Sequence, residues 1–135
     1  LHCDKAPPPP GIRRALHLAP GVPAAQRTRH YTDPAGATVQ IATSYIPLGY
    51  AGSWMWTADT GPGGIYARLA EGGHAPARYR EELIARAPAR EEAAVLGPGP
   101  VAEVVRVAYT ADNRPVEAAH IVLAANRFTF VCETT

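Results

Sequence analysis

The spacing of apolar residues changes several times along the chain, and each change marks an element. From Val22 the pattern has period two. Ala24 to Thr32, with RTRHY at its centre, reads as a strand whose successive side chains point to opposite faces. Asp33–Pro34–Ala35–Gly36 is a strong turn signal. Thr38 to Ile46 (TVQIATSYI) is rich in β-branched and aromatic residues and forms the second arm of a hairpin, ended by Pro47. Alternation returns in the last third. Val101 to Thr110 (VAEVVRVAYT) and Pro115 to Ala125 (PVEAAHIVLAA) are strands joined by an Ala111–Asp112–Asn113 turn. Arg127 to Glu133 (RFTFVCE) reads as a third, with Phe128, Phe130 and Cys132 on one face, which makes an antiparallel meander. Leu1 to Ala6 is expected to be a short first strand.

Helical spacing appears in shorter stretches. Pro7 to Pro10 is a stiff connector. In Gly11 to Leu18, Ile12, Ala15 and Leu16 share a face of a short helix, and Pro20–Gly21 turns the chain. Gly61 to Pro76 (GPGGIYARLAEGGHAP) reads as one compact helix with Pro62 in its first turn, Ile65 and Leu69 on its apolar face, and Gly72–Gly73 at its stop. In Ala75 to Pro88, propensity favours a helix over RYREELIARA. Pro88 to Leu96 (PAREEAAVL) is a firmer helix, with two glutamates in its first turn and Gly97 after its end. Leu48 to Thr60 lacks periodicity and reads as a loop whose Trp54 and Trp56 cap the core. Short helices among antiparallel hairpins imply an α+β domain, helices packed on a central antiparallel sheet.

Composition adds limits more than content. At 135 residues one domain is expected, long enough for a core without staples. A formal net charge of +1 gives no electrostatic footprint for nucleic acid. No apolar run approaches membrane-spanning length, and no signal peptide is visible. The chain begins with Leu rather than Met, as an excised piece of a longer protein would. Cys3 and Cys132 form no CxxC pair. Two reduced, buried cysteines of a cytoplasmic protein are expected, with a disulfide between neighbouring end strands as the alternative. The five histidines are scattered, and no nucleophile elbow, phosphate loop, dinucleotide fingerprint or metal-binding spacing is present. No metal or cofactor is expected, and nothing demands an enzyme.

Three features could carry binding chemistry. Gly63 and Gly64 leave the first turn of the Gly61–Pro76 helix bare, so its backbone N–H groups could meet a polar ligand; on physics alone, tight packing explains these glycines better. Arg27 and Arg29 lie two apart on one strand face and repel unless an anion or carboxylates face them, or unless both are solvated. Glu117 shares a face with Ala119, Ile121 and Leu123. It could form a salt bridge with Arg106 or Arg114, or accept hydrogen bonds from a ligand or from Arg27 and Arg29.

Three segments together carry a resemblance: ATSYIP (Ala42–Pro47), GPGGIYARLAEGGHAP leading into REE (Arg80–Glu82), and VVRVAYTADNRPVE (Val104–Glu117). In this order and spacing, with PAREEAAVLG as a further match, the chain resembles the effector-binding UTRA domain of GntR-superfamily transcription regulators, HutC subfamily, of actinobacterial type. The resemblance runs from about Ala6 to Glu133. It implies a chorismate-lyase-like fold and makes Tyr79 to Ala87 a strand, against helix propensity. It implies a homodimer that senses a small-molecule effector, polar or carboxylated, and reaches operator DNA only through an N-terminal winged-helix domain absent from this chain. By position, it implies effector contacts at Arg27, Arg29, Gly64, Ile65, Tyr66 and Glu117. The chain departs from the amino-sugar-binding pattern where Gly64 stands for a frequent serine, Leu123 for a tyrosine and Ala42 for an acid. Each change removes a polar group and favours a less polar, carboxylated metabolite over a sugar phosphate. Two other functions compete: an enzyme of the chorismate lyase type, and a dimerisation module with a closed, dry interior.

Overall fold

The computed structural model describes residues 1–134. Its framework is one six-stranded sheet, antiparallel throughout, in the order β1-β2-β3-β6-β5-β4. The strands are β1 (His2–Ala6), β2 (Ala24–Thr32), β3 (Thr38–Pro47), β4 (Pro76–Arg86), β5 (Val101–Thr110) and β6 (Pro115–Ala124). Three short helices, α1 (Pro10–Ala15), α2 (Gly64–Glu71) and α3 (Arg90–Leu96), complete the α+β architecture with 3-10 turns at Ser53–Trp56 and Ala125–Arg127.

Local chemistry explains the hairpins. In the β2–β3 turn, the Asp33 carboxylate accepts the Ala37 amide at 2.9 Å, and Gly36 supplies φ 90°, a left-handed value that favours glycine. The β5–β6 turn places Asn113 at φ 66°, and Thr110 and Arg114 close it through a 2.9 Å backbone bond. Because strand side chains alternate, these registers sort the residues onto two faces. Ile12 and Leu16 from the α1 segment cover Tyr45, Val107 and Ala118 on one. On the other, Met55 of the 3-10 turn and Leu69 of α2 pack on Ala25, Ile46, Ala108 and Val116. Full burial of Leu69, Ile46 or Met55 contributes roughly 1.5–3 kcal/mol each, enough to dock so short a helix.

Strand 76–86 settles the conflict between propensity and resemblance in favour of the strand. RYREELIAR pairs residue for residue with β5, and Glu81 meets Arg106 across the ladder at 2.5 Å. Tertiary pairing overrides a helix preference that sums to little over nine residues.

Three expectations need correction. The meander has no third strand after β6. Residues 125–127 form a 3-10 turn, and 128–134 run on without joining the sheet. β6 already has β3 on one side and β5 on the other, so no edge beside it is free. Cys3 and Cys132 are both free thiols, and Cys132 is exposed rather than buried. The helix in Gly61–Pro76 is only eight residues long, starting at Gly64. Gly61 and Gly63 take φ 83° and 81° and turn the chain into the helix, leaving Pro62 outside it. A Cβ on Gly63 would stand 2.7 Å from the Ala67 methyl carbon, so this glycine also permits close packing.

Candidate functional site

On the α2 face, β2, β3, β6 and β5 line up Arg27, Ser44, Ala119 and Arg106 across one row of the sheet. Glu117, two residues along β6, enters from the same side. A cavity of about 210 Å³ opens over this row, walled by Ile65 and Tyr66 of α2 and floored by Ala42, Ser44, Ala119 and Ile121. Arg27, Arg29, Arg106 and Glu117 supply its charge.

Glu117 is 3% exposed. One carboxylate oxygen accepts the Ser44 hydroxyl. The other, Oε1, is buried without a hydrogen-bond partner. Burial pushes this carboxyl above its ordinary value, against the opposing pull of Ser44, Tyr66 and the Arg106 charge. Tyr66 faces both Glu117 and Arg106, and burial together with the Glu117 charge raises its phenol well above the usual range. Native structures seldom leave a buried carboxylate oxygen without a donor, and here the Tyr66 hydroxyl and the Arg106 charge are the groups near enough to act on it.

The arginines behave differently from each other. Arg27 is buried, and its guanidinium donates to the backbone carbonyls of Met55 at 3.0 Å, Thr57, and Ala58 at 3.1 Å. It thereby straps the Trp54–Ala58 loop onto the sheet. Arg29, half-buried, spends one nitrogen on the Ala58 carbonyl and lines the cavity with the rest of its fork. Neither forms a hydrogen bond to Glu117, and Arg106 gives its Nε to Glu81 instead. The bare first turn of α2 is also less open than its glycines suggest, since the Gly64 amide donates to the Gly61 carbonyl at 3.0 Å.

Of the six residues singled out in the sequence, Arg27, Arg29, Ile65, Tyr66 and Glu117 line one cavity, and Gly64 stands just outside it. Ser44 and Arg106 were missed as site residues. Ser44 was accessible from the β2–β3 hairpin, which sets it opposite Arg27, whereas Arg106 reaches the Glu117 face through a β5–β6 register that contains an irregularity. Among the described residues no cluster of His, Cys, Asp and Glu could hold a metal ion. Among them, too, no helix is long and apolar enough to cross a membrane.

Comparison with known proteins places this architecture. The model of the UTRA domain family matches residues 1–129, and the chain belongs to that family. The crystal structure of PhnF from Mycobacterium smegmatis superposes with a TM-score of 0.84 at 23% identity, covering 100% of this chain and 60% of that one. The ligand-binding domain of a candidate GntR-family transcriptional regulator from Bordetella bronchiseptica gives 0.82 at 25% identity, covering 100% and 87%. The C-terminal domain of Yurk from Bacillus subtilis gives 0.83 at 20% identity, covering 97% and 91%. This chain thus spans about three-fifths of the PhnF chain. No curated protein matches it in sequence. It is a UTRA domain with the fold of the C-terminal domains of GntR-family regulators, consistent with a ligand-sensing regulatory role.

Proposed function

We propose that residues 1–135 form a single effector-binding domain of a cytoplasmic transcription regulator of the HutC type, and that its effector occupies the Glu117 cavity. The observation that carries this is the buried Glu117 carboxylate, with Oε1 left without a hydrogen-bond partner, lining one cavity with Arg29 and Arg106. In this reading the effector places a hydrogen-bond donor on Oε1. It sets an anionic or polar end against Arg29 and Arg106, and an apolar body on Ala42, Ala119 and Ile121. Arg27 positions the loop rather than the ligand. The cavity, about 210 Å³, lies below the roughly 300–1,000 Å³ of pockets for drug-sized ligands, so the effector is a small metabolite. The floor is mostly methyl groups, which favours a carboxylated metabolite of modest polarity over a sugar phosphate.

The domain acts without catalysis. It works as a homodimer, and binding favours one arrangement of the two copies, changing the spacing of separate winged-helix domains that read two-fold operators. A thermal-shift screen of sugars, sugar phosphates, and aromatic and aliphatic acids tests the assignment. Stabilisation by small acids that disappears in Glu117→Gln is expected. Stabilisation by a phosphosugar alone would sink the ligand class, and ligands indifferent to Glu117→Gln would sink the site.

A further inference from the structure

The face of the sheet turned away from Glu117 holds a second cavity, of about 400 Å³, beside the start of α1. It is larger than the Glu117 cavity and falls within the roughly 300–1,000 Å³ of small-molecule sites. Strand register builds its floor. Glu82 of β4, Val105 of β5 and His120 of β6 stand in one row, and Tyr45 of β3 joins them from the next row on that face. Pro9 and Ile12 wall it from the helix side. Because alternate strand residues face opposite ways, the sequence neighbours of Val105 and His120, Arg106 and Ala119, line the Glu117 cavity instead.

The polar groups of this cavity have bonding capacity to spare. Tyr45 is 8% exposed, and burial pushes its phenol upward with no hydrogen bond or charge among the described residues to offset it. Polar side chains so deeply buried ordinarily find a partner within the chain. His120 turns Nε2 toward Glu103 at 3.4 Å, which leaves Nδ1 as an acceptor. Glu82 gives Oε1 to Arg80 at 2.6 Å and keeps Oε2. The charge balance is the reverse of that across the sheet. Arg27, Arg29 and Arg106 surround one acid in the Glu117 cavity. Here, among the described residues, no arginine or lysine lines the wall, and Glu82 is its one acid. Behind the wall, Glu92 and Glu103 hold Arg86 between them, two carboxylates to one guanidinium.

We infer that this cavity is a second ligand site, and that it takes a small organic amine with an apolar body. The ammonium group bonds the free oxygen of Glu82, the Tyr45 hydroxyl and His120 Nδ1 offer further acceptors, and the hydrocarbon part covers Ile12 and Val105. A carboxylate in the same place would face Glu82, with Glu92 and Glu103 beyond it and no unengaged cation on the wall. The two faces of one sheet thus sort ligands by charge, acids over Glu117 and amines over His120. The second site goes beyond the proposed function and does not depend on what occupies the Glu117 cavity.

Titration of this chain with benzylamine, followed through its backbone amide chemical shifts, tests the site, with benzoate as an anion of matching shape. Benzylamine should shift Ile12, Tyr45, Val105 and His120 saturably, with a dissociation constant in the millimolar range or tighter. Benzoate should leave these four unmoved. Glu82→Gln changes an exposed side chain and so leaves the fold intact; it should weaken benzylamine about tenfold, the scale of one charge-assisted hydrogen bond. Tyr45→Phe should weaken it about threefold, and should leave the melting temperature unchanged or raised, because the hydroxyl has no partner within the chain. Absence of a saturable shift, or equal binding of benzoate at the same four residues, overturns the inference. So does benzylamine binding that survives Glu82→Gln undiminished. Shifts confined to Ser44, Tyr66 and Glu117 would put the amine in the Glu117 cavity, which overturns the second site and leaves the proposed effector site to be judged by its own screen.

Discussion

Glu117 and Arg86 stand on opposite faces of the same sheet and show two ways of burying charge. Arg86 is saturated: it reaches Glu92 at 2.6 Å and Glu103 at 2.6 Å, and His120 adds a contact to Glu103 at 3.4 Å. Glu92 also takes the Ala89 amide at 2.7 Å, anchoring the start of α3. These side chains keep 17–29% exposure, and hydrogen bonds from Arg86 hold Glu92 down to about 2 and lower Glu103. Glu117 is more deeply buried and less satisfied, with one oxygen unpaired and its pKa raised. A cluster that completes its own bonds stabilises a fold. A buried acid left half-bonded beside a cavity is a cost the fold sustains, and such costs concentrate where ligands bind.

The comparison can be broken most forcefully at the loop strap. Arg27→Ala removes three hydrogen bonds to loop carbonyls and empties a buried site, and should cost about 3 kcal/mol in urea unfolding at neutral pH. If Arg27 were chiefly an anion ligand, stability would barely move. Arg86→Ala should cost about 2 kcal/mol, because it strands two carboxylates together.

The two acids also predict opposite pH slopes. The Glu92 pKa is lowered on folding, so its contribution is present above its ordinary value of 4.5 and is lost as pH falls toward about 2. Arg86→Ala should flatten that acid limb of the melting curve. The Glu117 pKa is raised on folding, so its contribution is present below 4.5 and is lost as pH climbs through the raised native value. Glu117→Gln should flatten that decline and, without ligand, change stability at pH 7 by about 1 kcal/mol or less, toward greater stability. A slope unchanged by Glu117→Gln would mean that the carboxyl is not the titrating group. The smallest stability effect is expected from Arg29→Ala, within about 0.5 kcal/mol, since it loses one partly exposed bond. The same variant should abolish effector binding in calorimetry, and retained affinity would remove Arg29 from the site.

Much of this was legible beforehand. β2, β3, β5 and β6 follow from alternation and from the Asp33–Gly36 and Ala111–Asn113 turns, because a half-buried strand must repeat every two residues. That Arg27 and Arg29 share one face follows from the same parity; that Glu117 shares it with them required the β3–β6 pairing. β4 was not legible from the residues alone, since Arg, Glu, Leu and Ala prefer helices, and only the resemblance pointed to a strand. Arg106 was visible as a charge, but its place in the cavity required the β5–β6 register.

By itself, then, the sequence determined the period of each segment, the turns between them, and hence which side chains share a face. These are local properties, set by backbone sterics and side-chain shape over a few residues. The tertiary structure alone decided which edges were filled. With β3 and β5 on either side of β6, the β-patterned residues 128–134 find no place in their own sheet, and a poor strand former at 76–86 becomes the sheet's free edge. It also decided which polar groups found partners. Arg27 met three carbonyls of a loop some thirty residues away. Glu117 met one serine and was left with an oxygen to spare, because hydrogen-bond satisfaction depends on what distant segments bring within about 3 Å.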